Sequence, residues 1–208
     1  YPYGPYDLYD GISIDEVISN ELSTRYSENL EIYNQIIINP LNNPNLPVIY
    51  VGDHNTPSML DWSYDNINQN FGYEIVWPVS EFLLNNGFYD SFRELHPNVN
   101  ENSGLTWSPG YPKNIFDTWD VHDRIDMIYY KQGNKQNLYP LKSFVYDCDP
   151  WPSDHRAVIT EFSICKNVTT GDFNFDGLLN ILDVTSLVNY ILIQSNKYCS
   201  IVYGDFDT

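Results

Sequence analysis

Positive charge is what this chain has least of. Ten Lys and Arg stand against 28 Asp and Glu, a formal net charge of −18 over 208 residues. Such a field repels polyanions at long range, which excludes an indiscriminate nucleic-acid groove unless bound cations or a local patch reverse it. The excess acid instead offers the oxygen ligands that Mg2+ and Ca2+ require. Cysteine is also scarce. Cys148, Cys165 and Cys199 follow no CxxC spacing, which argues against zinc, and the odd number leaves at least one outside an intrachain pair. No apolar run approaches the ~20 residues of a membrane-spanning helix. The opening Tyr1-Pro-Tyr-Gly-Pro-Tyr6 lacks the basic start and apolar middle of a signal peptide.

What is present is apolar and aromatic: 42% hydrophobic and 16% aromatic residues are ample for a core and exclude general disorder. The Pro/Gly/Tyr opening reads as a loop. From Ile14 on, Ile18, Leu22, Tyr26, Leu30, Tyr33 and Ile37 recur at helical spacing, with Ser13 and Glu16 as a capping box, so one long amphipathic helix is expected. Residues 48–51 read as a buried strand ending at Gly52, and 79–86 as a helix stopped by Gly87. Short strands are expected at 105–107, 124–130, 141–147 and 157–164. Helix and strand alternate, which is the pattern of an α/β fold.

Three short segments carry chemistry. Asp53 and Asn55 lie two apart at a strand end and so share a face if the strand continues. Asp126 sits in an apolar strand, where a lone carboxylate is costly unless paired. His155, preceded by Asp154, is its natural partner, because an Asp–His pair fixes the imidazole tautomer and raises its basicity. His54 points opposite to its neighbours and is read as packing; His122 is read as a loop residue and His96 as a surface one.

Gly52-Asp-His-Asn55, Asp123-Arg-Ile-Asp126 and Trp151-Pro-Ser-Asp-His-Arg-Ala157 resemble, in order and spacing, the later motifs of the endonuclease/exonuclease/phosphatase superfamily. Pro57-Ser-Met-Leu-Asp-Trp62, Gly87-Phe-Tyr-Asp-Ser-Phe92 and Thr106-Trp107 resemble further segments of its bacterial members. The resemblance covers residues 1–165 and implies an incomplete β-sandwich of mixed sheets flanked by helices. It further implies hydrolysis of a phosphate ester with Mg2+ or Mn2+. His155 would act on the water or the scissile phosphate and Asp126 would orient it. Asp53 would handle a proton, Asn55 would bind phosphate oxygens, and Asp154 would lie near the magnesium. The family commonly has Phe or another residue where this chain has His54. Its early metal-binding Asn and Glu match nothing here, so the chain by itself is expected to be inactive and to expose an unpaired sheet edge.

Beyond a linker at 166–170 the character changes. Asp172, Asn174, Asp176, Asn180 and Asp183 hold loop positions one, three, five, nine and twelve, with Gly177 at six and the Leu178 carbonyl at seven. That is the spacing which wraps Ca2+. Gly204-Asp-Phe-Asp-Thr208 repeats the start of this loop, giving a truncated internal duplication at 171–208. Such a small all-α, EF-hand-like calcium module resembles a dockerin, which implies a cohesin-like partner and a secreted or cell-surface protein. The expected whole is a tethered phosphoesterase acting on nucleic acid, a lipid head group or a small molecule. The alternative is a non-catalytic binding protein on the same fold, anchored by the calcium module.

Overall fold

A computed structural model describes residues 3–38, 45–110, 113, 117, 119–146, 148, 151–166, 170–174, 176 and 178–193. It is a mixed α/β structure of small antiparallel sheets and helices. The opening segment, expected as a loop, is helical over α1 (Gly4–Tyr9). Pro5 stands in its first turn, where a missing N–H removes no helical hydrogen bond and the fixed φ suits a helix. Gly4 lets this helix lie against the core, since a Cβ there would come within 2.8 Å of Trp77 Cη2.

Helix α2 follows as four continuous segments, Ile14–Glu21, Leu22–Tyr26, Ser27–Ile32 and Tyr33–Ile37. Ser13 Oγ caps it by accepting from Glu16 N. The second and fourth segments are π turns; of the expected apolar face Ile18, Tyr26, Tyr33 and Ile37 pack on the core clusters, and Leu22 does not. Val17, Glu21, Asn29 and Ile37 are buried, while Leu22 is exposed. All four buried positions fall on a spacing of four, which drifts around a 3.6-residue helix; the wider π turns hold the stripe on one side.

Strand β1 (Val48–Asp53) pairs antiparallel with β3 (Asp126–Lys131), whose other side takes the short β2 (Tyr89–Asp90). The second sheet is the hairpin of β4 (Gln136–Tyr146) and β5 (Ala157–Lys166), with an irregularity between Pro140 and Lys142 where the proline lacks a ladder donor. Every described pairing is antiparallel, where mixed sheets were expected. The expected strand at 105–107 is reduced to single bridges at Trp107. β1, expected to be buried, is an edge strand with Ile49 and Val51 exposed, and among the described residues no strand pairs with its outer side.

Helix α3 (Pro78–Asn85) ends at Gly87, whose φ of 78° takes the left-handed conformation that closes helices. It packs with α2 and the sheet through Ile37, Val79, Leu83, Phe88, Met127 and Tyr129. A second cluster joins Leu8 and Val17 to Trp62, Ile75 and Trp77.

A buried ionic network ties β2 and the approach to β3 to the loop at Asp61. Arg124 donates to Asp61 at 2.9 Å and to Asp90 at 2.6 Å, and Arg93 pairs with Asp61 while also holding the carbonyls of His96, Asn102 and Ser103. Asp90 additionally caps α4 (Ser91–Leu95) by accepting from Phe92 N and Arg93 N. The acids of two of the bacterial-like segments, Asp61 and Asp90, therefore share one guanidinium.

Helix α5 (Ile181–Ile193) follows the calcium-type loop. The repeat at 204–208, Gly177 and Cys199 lie outside the described residues.

Candidate active site

The site forms where β1 and β3 end. In the antiparallel register Asp53 stands directly opposite Asp126, so the two carboxylates meet because of strand pairing. The pair Thr106-Trp107 brings in the third group. Trp107 bridges to Asp123, three residues before Asp126, and to His155, while Thr106 O accepts from Arg156 N at 2.8 Å. The fully buried Thr106 hydroxyl also accepts from Ile125 N and Asp126 N, at 3.1 and 3.0 Å. One short segment thus clasps the approach to β3 and the approach to β5.

As a result His155 Nδ1 lies 2.8 Å from Asp126 Oδ2. That contact assigns the proton of the neutral imidazole to Nδ1 and leaves Nε2 as the acceptor. Asp53, Asp126 and His155 offer ligand atoms within 4.8 Å of one another, and among the described residues they are the sole His/Cys/Asp/Glu group of that kind. Asn55 completes the constellation. Its backbone N and its Nδ2 both donate to the Asp53 carboxylate, at 2.7 and 2.8 Å, from a φ of 51° that Asn tolerates better than most residues.

Electrostatics follow from this crowding. Desolvation, reinforced by the Asp126 charge, pushes the Asp53 carboxyl above the usual range, against the lowering pull of the Asn55 N–H, His155 and Arg25. Desolvation alone would lower His155, but the Asp126 hydrogen bond and the charges of Asp126, Asp53 and Asp154 outweigh it and the imidazole is raised.

Asp154 is the sequence candidate the geometry does not gather. It is exposed, touches Ser153 Oγ at 3.5 Å, and stands outside the three-residue group. His54 is buried edge-on between the Tyr50 and Tyr129 rings, and burial pushes it down to about 4, as its inward position implies. His122 Nδ1 engages the Ser108 backbone. His96, read as a surface residue, is instead half-buried, with Nε2 2.7 Å from Ser143 O and its ring against Phe92.

A pocket of about 250 Å3 opens beside His155, walled by Tyr6, Pro57, Trp107 and Ile125 with Asn55 at its edge. Trp107 lies edge-on to the imidazole, its centroid 4.9 Å away, and its Nε1 donates to Tyr6 Oη, which in turn donates to Asp120. Burial, aided by Asp120, pushes the Tyr6 phenol up to about 12. Sequence reasoning missed Tyr6, Asp120 and Arg25, and did not see the part played by Thr106-Trp107. Nothing in the spacing of these residues signals their convergence.

In the calcium-type loop the side chains organise the backbone. Asp183, buried with Asp172, accepts from Asn174 N at 3.3 Å and Asn180 N at 2.8 Å. Asp172 accepts from Asp176 N, and the Leu178 carbonyl accepts from Asn180 Nδ2. Backbone donors hold the Asp183 carboxyl below its usual range. The carboxylates of Asp172, Asp176 and Asp183 are not gathered as closely as the Asp53 group.

No family model matches the chain. No solved structure matches it. It is similar to an uncharacterized protein of Caenorhabditis elegans, 28% identical over 180 residues, a match taking in 77% of this chain and 56% of the relative. The chain therefore spans about half the length of the curated relative it matches.

Proposed function

We propose that this chain carries the His–Asp half of a metal-dependent phosphoesterase site of the endonuclease/exonuclease/phosphatase type. The observation that carries the reading is the 2.8 Å contact of His155 Nδ1 with Asp126, set directly across from Asp53. Oriented by Asp126, His155 takes a proton from the attacking water, or holds one against a phosphate oxygen, at Nε2. Asp53, with its raised affinity for a proton, serves the leaving oxygen. The Asn55 amide is the neutral donor for phosphate oxygens. The donor set fits a hard divalent ion, since two crowded carboxylates and an adjacent amide oxygen gain from an added cation. Bound there, Mg2+ or Mn2+ would neutralise phosphate charge and lower the pKa of a water.

The test is turnover of a phosphodiester and a phosphomonoester by the product of the complete reading frame encoding this chain, with and without Mg2+. Metal-dependent hydrolysis that falls ~10^2- to 10^4-fold in His155→Ala supports the reading. Undiminished turnover in His155→Ala, or none on either ester, overturns it.

The loop at 172–183 is inferred to hold one Ca2+ through Asp172, Asn174, Asp176, the Leu178 carbonyl, Asn180 and Asp183. Support comes from the two buried acids and from a backbone already turned around them. Calorimetric titration with Ca2+ is expected to give one site, lost in Asp172→Ala; heat equal to that of buffer dilution refutes it. The cohesin-like partner rests on α5, where Ile181, Leu182, Val184, Val188, Ile191 and Leu192 are all exposed, a density of aliphatic surface that free proteins avoid. A secreted or cell-surface location is supported by the disulfide at Cys165, which favours an oxidising compartment.

A further inference from the structure

The bond from Trp107 to Tyr6 does more than close one wall of the pocket. Asp126 meets His155 at Nδ1, 2.8 Å away. One hydrogen bond fixes one corner of a planar ring and leaves the ring able to rock about the line from Nδ1 to Oδ2, a motion that swings Nε2. The indole of Trp107 stands in the way of that swing, its centroid 4.9 Å from that of the imidazole at an interplanar angle of 61°. Trp107 also bridges to His155 through the backbone, so the two main chains are already set side by side. The torsions of the indole then decide whether it bears on the imidazole.

Those torsions are fixed from α1. Trp107 Nε1 donates to Tyr6 Oη at 3.1 Å, and Tyr6 Oη donates to Asp120. The direction is forced, because an indole N–H can only donate and a carboxylate can only accept, so the phenol between them accepts from one and gives its proton to the other. Burial and Asp120 push that phenol up to about 12, and it keeps its proton at neutral pH. Asp120 is itself 9% exposed and accepts from Val121 N at 3.0 Å and Ser108 Oγ at 3.4 Å. Hydrogen bonds linked in such a chain polarise and strengthen one another. The Tyr6 hydroxyl is not what docks α1, since Leu8 and Gly4 pack that helix against Val17 and Trp77.

We propose that Tyr6, seated by Asp120, is a positioning residue for His155, acting through Trp107 to hold the imidazole plane and so aim Nε2. The proposal rests on the reading of His155 as the group that acts on water or phosphate, and it supplies the constraint that the Asp126 contact by itself leaves open. Removing the hydroxyl leaves the Tyr6 ring in the pocket wall, so the loss falls on the reacting geometry rather than on the binding of an ester.

The test uses the product of the complete reading frame and its Tyr6→Phe, Trp107→Phe and double variants. Kinetics on the ester that the parent hydrolyses are read beside NMR of the histidine ring protons at one fixed pH without added metal, His155 being assigned by its loss in His155→Gln. Each single variant is expected to lower kcat about tenfold or more with KM changed less than about twofold. The double variant is expected to be no worse than either single one, since both break the same chain. In Tyr6→Phe, where the indole is still present, the ring-current shifts of the His155 Hε1 and Hδ2 protons are expected to move; a role confined to folding would leave them in place. The proposal is overturned if either those shifts or kcat is unchanged in Tyr6→Phe, or if the losses of the two single variants multiply in the double. A parent that hydrolyses neither ester defeats the hydrolase reading instead, and the His155 shifts in Tyr6→Phe then decide by themselves whether Tyr6 orders the imidazole.

Discussion

Replacing Arg124 by Met is the sharpest test of what holds the site together. Arg124 is 1% exposed and stands between Asp61 and Asp90, 5% and 3% exposed, with its guanidinium 5.6 Å from the Phe92 ring centroid. Methionine keeps much of the volume and removes the charge. Among the described residues Asp90 then retains the Phe92 and Arg93 backbone donors, and Asp61 retains Arg93. Breaking a buried pair from one side costs about 3–5 kcal/mol, because a charge is left buried without compensation. That is a large share of a domain stability of roughly 5–15 kcal/mol. At about 2–4 °C per kcal/mol for a chain of this size, Tm falls by roughly 6–20 °C. In urea the midpoint drops with little change in slope, since the surface exposed on unfolding is nearly the same. An Arg124→Met protein within about 1 kcal/mol of the parent would show that the network is not what fixes the start of β3.

Two further outcomes follow. Asp126→Asn removes the partner that raises His155, so the imidazole pKa read by NMR falls, and on the proposed hydrolase reading turnover drops ~10^2- to 10^4-fold; an unmoved titration refutes the pairing. Stability is expected to fall as pH rises from about 5 to 7. Burial pushes Glu21 up from 4.5 and Asp123 up from 3.8, each to about 7, so both contribute stability below their unfolded values that is lost as pH climbs through 7. Buried His54, pushed down from 6.5 to about 4, acts oppositely, with stability present above 6.5 and lost as pH falls. Two carboxyls outweigh one imidazole, and Glu21→Gln is expected to flatten the thermal-unfolding profile across that range; an unchanged slope would count against it.

Much of the local structure was legible from residue order. Ser13 marks the start of α2, Gly87 the end of α3, and the apolar runs at 48–51 and 157–164 mark β1 and β5, because capping, left-handed φ and strand periodicity act between near neighbours. The helix at α1 is not legible from its composition, because proline breaks a helix interior but is tolerated in a first turn. On α2 the spacing marked Ile18, Tyr26, Tyr33 and Ile37, which pack on the two core clusters, but not the exposure of Leu22 or the burial of Glu21 and Asn29.

By itself, the amino-acid order determined which side chains are chemically fit for the site, including the Asp126–His155 pairing, since a carboxylate in an apolar strand needs a partner and few were available. Tertiary structure alone decided the rest. The register that sets Asp53 against Asp126, the clasp of Thr106-Trp107, the sharing of Arg124 by Asp61 and Asp90, and the exposure of Asp154 all depend on segments dozens of residues apart meeting at hydrogen-bonding distance. Such contacts are selected by the free energy of the whole packed chain, and no local pattern encodes them.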